Sequence, residues 1–238
     1  MITVVVRVWM PDRPGALGQV ASRIGAVRGD VLGIEILEQG AGRAIDELTV
    51  ALPGDELIGL LSAEIDDVDG VSVENIRPVE IDRIDTNLAA LAIGAAMAEC
   101  EPNDRLEVLC SGLQRVVDAD WVVAMRDGQT LVDYGEAPEL AWLQAFLAGS
   151  EHLEGVDDAA PSDMVWAHLV ASGLYVAAGR AQRPIHERER VRVSLLGRLA
   201  DALLQGPNSV DPAAGALNGT QPLGVLHISP STILAGGE

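Results

Sequence analysis

Six residues, Asp12-Arg13-Pro14-Gly15-Ala16-Leu17, force this chain to pass from a strand directly into a helix. Upstream, Ile2 to Trp9 is a dense β-branched run containing Val4, Val5, Val6 and Val8, the pattern of a buried strand. Downstream, Leu17, Val20, Ile24 and Val27 recur at the three- and four-residue spacing of one helix face. Pro14 suits a first helical turn, where its missing N–H is not needed, and Gly15 lets another group approach the backbone closely. The main-chain N–H groups of Ala16 and Leu17 are therefore expected to stay open at the positive end of a helix dipole. Such a corner suits a carboxylate or a phosphate.

The next elements follow quickly. Gly29 marks a stop, and Val31 to Glu38 reads as a strand with Leu32, Ile34 and Ile36 on one face. Gly40-Ala41-Gly42 turns the chain into a returning strand, Ala44 to Leu52, with Leu48, Val50 and Leu52 inward. Asp55 is read as the N-cap of a helix carrying Leu57, Leu60, Leu61 and Ile65, and Val71 to Pro78 as a last strand. The order β-α-β-β-α-β over about 80 residues predicts a ferredoxin-like α+β unit with both helices on one sheet face. The opposite face and the edge strands are expected to lie uncovered, which favours pairing with a second copy.

Residues 81–102 read as a helical linker, capped by Asp85 or Thr86 and carrying Leu88, Leu91, Ala95 and Ala98. A second unit is expected over 103–205. Its helix carries Leu106, Leu109, Cys110, Leu113 and Val116, and a hairpin turns at Asp127-Gly128. A helix over Pro138 to Leu147, a mobile loop over 149–163, strands Met164 to Val170 and Leu174 to Gly179, and a long helix His186 to Leu204 complete it. A ligand pocket, if this half has one, is expected between its sheet and the 138–163 segment. Trp121, Trp142, Trp166 and Tyr175 are expected in its core. Residues 206–238 are expected to be a disordered tail in which Leu223 to Ile228 could dock as a strand.

Sixteen basic against 36 acidic residues give a net charge of −20, which argues against nucleic acid and anionic membranes as partners. Leu88 to Ala98 is far short of the ~20 residues a spanning helix needs. Two cysteines, Cys100 and Cys110, show no redox or metal spacing, so a reduced, cytoplasmic setting is expected. The four histidines, His152, His168, His186 and His227, are scattered, and no Walker loop, nucleophile elbow or dinucleotide fingerprint is present. No cofactor, no metal and no catalytic constellation are expected. The cluster Arg180, Arg183, Arg188, Arg190 and Arg192 is read as pairing with acids or as a partner contact.

With Asp12-Arg13-Pro14-Gly15-Ala16-Leu17 opening a β-α-β-β-α-β unit, residues 1–80 resemble an ACT domain, a regulatory module attached to enzymes and regulators of amino-acid metabolism. The resemblance implies a homodimer with sheets joined edge to edge and a small molecule, most often an amino acid, near the subunit boundary. It also implies ligand contacts at Asp12, Arg13, Pro14, Gly15, Ala16 and Leu17, and at Asp30 and Val31 in Arg28-Gly29-Asp30-Val31. Asp30 stands where Asn is common in that family, and a carboxylate there favours a ligand with an ammonium group. Residues 103–204 resemble a GAF-like or PAS-like domain in element order and in the Gly179-Arg180 ending. The function expected is a non-catalytic regulatory protein that binds an amino acid and signals to a separate protein effector. The alternative is a protein–protein interaction module with no small ligand.

Overall fold

The computed structural model describes residues 1–80, 85–150 and 162–205. These residues form an α+β structure with two antiparallel four-stranded sheets and six α-helices. The expected tail at 206–238 and the Leu223 to Ile228 segment lie outside the described residues, as does most of the 149–163 loop.

The first sheet contains β1 (Ile2–Pro11), β2 (Asp30–Gly40), β3 (Arg43–Leu52) and β4 (Ser72–Val79), ordered β2-β3-β1-β4. Strand alternation sends Val4, Val6, Val8 and Met10 of β1 to one face, beside Leu48 and Val50 of β3. Helices α1 (Ala16–Ala26) and α2 (Ile58–Asp66) close over that face with Val20, Ile24, Leu61 and Ile65. Before α2 the chain makes a 3-10 turn, Asp55–Leu57, so Asp55 sits inside the turn and does not cap the helix. Leu60, expected inward, is exposed.

The second sheet contains β5 (Trp121–Arg126), β6 (Gln129–Tyr134), β7 (Met164–Leu169) and β8 (Leu174–Gly179), ordered β6-β5-β8-β7. Asp127 and Gly128 both take positive φ, 48° and 78°, as a two-residue type I′ hairpin turn requires. Three helices cover one face: α3 (Thr86–Glu99), α4 (Arg105–Val116) and α6 (Glu187–Leu204). On the other face α5 (Leu140–Ser150) packs Leu143 and Leu147 against Val123, Met125 and Ala177. This is the side of the sheet where a pocket is expected, and residues 151–161 of the 138–163 segment lie outside the described residues. Of the four rings expected in this core, Trp121 is buried, Trp166 and Tyr175 are half-buried, and Trp142 lies outward, stacked on Phe146.

Helix α3 corrects the sequence reading of its faces. Asp85 caps it, accepting from the N–H groups of Asn87 and Leu88, but Leu88 and Leu91 are 58% and 70% exposed. Ile93, Gly94 and Met97 face inward instead. The reason is close helix packing. A Cβ at Gly94 would lie 2.5 Å from a Leu199 methyl of α6, and one at Gly112 of α4 would lie 2.6 Å from Ile93. Small residues here bring backbones together, and the leucines are left for solvent.

Nor is the far face of the first sheet uncovered, as the sequence predicted. Arg7 in β1 and Glu47 in β3 project there, and the start of α6 closes over them. Arg7 binds Glu47 at 2.6 Å and Glu189 at 2.7 Å, and Arg180 binds the other Glu189 oxygen at 2.7 Å. Glu189 also accepts the His186 N–H, closing the first turn of α6. His186 inserts between Glu38 of β2 (3.3 Å) and Glu74 of β4 (2.9 Å), with Trp9 edge-on and donating its indole N–H to Glu74. Glu35 receives Arg188, Arg192 and the Thr86 hydroxyl. Three of the five arginines in the basic cluster, Arg180, Arg188 and Arg192, thus neutralise acids at this junction. Arg183 pairs with Asp118 and Asp120, and Arg190 donates to the Ile185 and Met164 carbonyls.

Candidate functional site

The corner between β1 and α1 takes its shape from one backbone conformation. Gly15 adopts φ 89°, the left-handed region that an L side chain enters only with strain. Space is not the constraint there, because a Cβ on Gly15 would meet nothing within 4 Å. The helix starts one residue later, at Ala16, so Pro14 lies in the turn and not in the first helical turn.

The amides of the corner are partly spoken for. Ala16 N–H donates to the Arg13 carbonyl at 3.2 Å, which corrects the expectation that it stays open. Asp12 N–H donates to the Gly42 carbonyl at 3.0 Å, and Arg13 N–H to that of Pro11 at 2.9 Å. The Asp12 carboxylate accepts from Gln39 Nε2 at 3.1 Å, tying the turn to the end of β2. Arg13 reaches Gln19 at 3.4 Å and is otherwise solvent-facing. Asp12, Arg13, Pro14 and Gly15 are all exposed, Leu17 is half-buried, and Ala16 is buried. What remains is an open, shallow ledge.

Asp30 and Val31 are not beside it. Asp30 pairs with Ala51, which pairs with Thr3 at the start of β1. The corner follows Pro11, at the other end of the same strand. Nine residues at ~3.3 Å separate the two, roughly 30 Å along the sheet. Within one chain, the eight residues predicted as contacts fall into two groups at opposite ends of β1.

One acid near the corner lies outside the predicted contact set. Asp46 sits on the helix-bearing face of β3, opposite Val8 and Ile36, and is 3% exposed. Its Oδ1 has no hydrogen-bond partner among the described residues. Burial, and secondarily the Asp12 charge, hold its carboxyl above the ordinary aspartate range. The signal was there: an Asp takes an inward position between Ala44 and Leu48, where the alternation calls for an apolar residue. A buried, unsatisfied carboxylate oxygen is costly unless something supplies a donor.

The corner is flanked by an open edge. Among the described residues β2 pairs only with β3, so its other side offers N–H and C=O groups to a further strand. Leu32, Ile34 and Ile36 of this strand are 54%, 48% and 43% exposed. Among the described residues no group of three or more His, Cys, Asp or Glu side chains could hold a metal ion. No described helix is long and apolar enough to cross a membrane.

No family model and no curated protein matches the chain. Some solved structures are weakly similar to parts of the chain. An uncharacterized protein from Thermotoga maritima is 22% identical over 33% of this chain and 98% of its own, with a TM-score of 0.28. An ACT domain protein from Streptococcus pneumoniae is 15% identical over 35% of this chain and 98% of its own, also at 0.28. A formyltetrahydrofolate deformylase from Pseudomonas putida is 14% identical over 37% of this chain, with 36% of its own length covered and a TM-score of 0.26. An unknown protein from Galdieria sulphuraria spans more, 76% of this chain and 99% of its own, at 10% identity and a TM-score of 0.30. None of these four carries a GAF name, and likenesses of this degree carry no functional argument. The ACT domain protein is a weak neighbour of this chain.

Proposed function

We propose that this chain is a non-catalytic regulatory protein whose ACT-like first half binds an amino acid or a similar small zwitterion across a homodimer boundary. The observation that carries the reading is Asp46: a buried carboxylate, short of a donor, close enough to Asp12 for their charges to repel. A ligand ammonium supplies the missing donor and relieves the repulsion in one step. The ligand carboxylate is then met by the Leu17 N–H at the start of α1.

Symmetry supplies the second half-site. If two β2 edges pair antiparallel about a two-fold axis centred near Glu35, Asp30 of one copy lies opposite Gly40 of the other. Gly40 pairs with Arg43 beside the Asp12 corner, so the two half-sites that lie far apart in one chain meet between two. The same pairing removes the exposed edge and buries Leu32, Ile34 and Ile36. Coupling to the GAF-like second half, and through it to a separate effector, then runs through the Arg7–Glu189–Arg180 junction, the contact a shift in the dimer would load.

A thermal-shift panel of the twenty amino acids on the full chain tests this. A ligand held at 100 times its dissociation constant stabilises the folded state by about 2.7 kcal/mol. Asp46→Asn is expected to leave the protein folded while abolishing the shift. A flat panel, or a shift that survives the substitution, overturns the reading. The interaction-module alternative draws on the same exposed β2 leucine and isoleucines, and is selected by a flat panel together with a stoichiometric protein bound at that edge.

A further inference from the structure

A groove of about 840 Å³ opens on a different part of the molecule, between the end of β4 and the helices α3 and α4. Its floor is apolar and built from small side chains: Ala89, Ala92, Ile93 and Ala96 of α3, with Val108 and Val116 of α4. The hollow has a local cause. The two helices touch where Gly112 meets Ile93, and beside that contact alanines leave volume that larger residues would fill.

Four charged residues reach the groove, Arg77, Glu80, Arg115 and Asp118, and they are not equivalent. Asp118 is already held by Arg77 at 3.1 Å and by Arg183. Glu80 is exposed at the end of β4. Arg115 makes no ion pair among the described residues; its Nε donates to the Ser111 carbonyl of its own helix at 3.4 Å, and its side chain is exposed. In a chain of net charge −20, this is a cation available at the mouth of an apolar trough. A mainly apolar cavity of several hundred Å³ with a few convergent polar groups is the usual form of a small-molecule site. A planar guanidinium at its rim matches a carboxylate in two parallel hydrogen bonds.

We infer that this groove is a second ligand site, taking a small amphipathic monocarboxylate with an alkyl body. The hydrocarbon lies along the alanines of α3, and the carboxylate meets Arg115. The site is separate from the β1–α1 corner and does not depend on an amino acid binding there. Because its walls come from β4 of the first sheet and from helices of the second core, occupancy stabilises the junction between them.

Octanoate and 1-octanol serve as matched probes, titrated calorimetrically into the full chain. Octanoate is expected to bind at least tenfold more tightly than octanol. Arg115→Gln reduces octanoate to the level of octanol without altering octanol binding, because only the carboxylate contact is lost. Ala92→Trp, at an exposed position on α3, fills the trough and removes both; Ala96→Leu does the same should the tryptophan variant fail to fold. Asp46→Asn leaves octanoate binding unchanged, which separates this site from the amino-acid corner. Equal affinity for the two probes, silence at millimolar octanoate, or octanoate binding that survives the filled groove overturns the inference.

Discussion

Arg7 of the first strand and Glu189 of the last helix, 182 positions apart, form a 2.7 Å ion pair with both side chains almost wholly buried. Neither charge stands alone: Arg7 also holds Glu47, and Arg180 takes the second oxygen of Glu189. The chain of charges, Glu47–Arg7–Glu189–Arg180, crosses from the first sheet to the second core. Burial on its own would raise the Glu189 carboxyl. The Arg7 charge, the Arg180 hydrogen bond and charge, and the His186 N–H more than offset it and hold that carboxyl at about 2.

Glu189→Gln is therefore expected to cost about 3–5 kcal/mol, because it leaves Arg7 and Arg180 buried without their shared anion. The pH dependence follows from the same depression. The folded carboxyl titrates below its unfolded value of 4.5, so its contribution is complete above that pH and is lost as pH falls toward about 2. Urea unfolding of the wild type should show stability dropping over this window, and the variant should show a flatter profile. Equal slopes in the two proteins would mean that the junction is not what acid releases.

Gly15→Ala is expected to destabilise the protein by about 1–2 kcal/mol, because φ 89° brings any Cβ into strain although the space around it is empty. Gly15→Asn should cost less, since asparagine enters the left-handed region more readily. Thermal melts of the two variants decide the matter, and identical losses would shift the cause from backbone conformation to contact.

Much of this architecture was readable from periodicity. The valines of β1, the Val20–Ile24 face of α1 and the Asp127-Gly128 turn follow from local rules that tertiary packing does not overturn. The faces of α3 were not readable, because alanine and glycine carry little hydrophobic signal while deciding how closely helices approach. Leu88 and Leu91 carry that signal and point outward. The junction was hidden for a related reason. Arg7 interrupts a valine run and Glu189 lies among arginines, but only the folded chain brings them together. Asp46 is legible in the sequence as a charge at an inward position of a strand. As for Asp30, the sequence places it just ahead of a strand, but the strand pairing decides that it lies at the far end from Gly15.

The antiparallel β2–β2 dimer proposed above makes a direct demand on the edge. Ile34→Lys with Ile36→Lys places like charges along a strand that would face its own copy, a common means of blocking edge association. The variant is expected to run at half the wild-type mass in sedimentation equilibrium while keeping its circular dichroism, since both side chains are already exposed in the single chain. It should also lose any amino-acid shift, because each ligand would lack the Asp30 half of its site. A wild type that is itself monomeric would remove the edge pairing altogether.

Asp46 gives the opposite pH signature to Glu189. Its folded carboxyl is held above the ordinary aspartate value, by burial first and by Asp12 second, so the native protein takes up its proton more readily than the unfolded chain does. By linkage, the ionised form destabilises the fold at neutral pH, and that penalty fades as pH falls through the raised value. Asp46→Asn removes the charge while keeping the shape. It should therefore melt higher than wild type at pH 7, with the gap closing once the wild-type carboxyl is protonated. Ligand should reverse the order, since an ammonium beside Asp46 stabilises its ionised form and has no such partner in the asparagine variant. Melts at neutral and acidic pH, each with and without the amino acid that scores in the panel, read out both effects. A variant less stable than wild type at neutral pH would show that the Asp46 carboxylate already has the donor it needs from the protein itself.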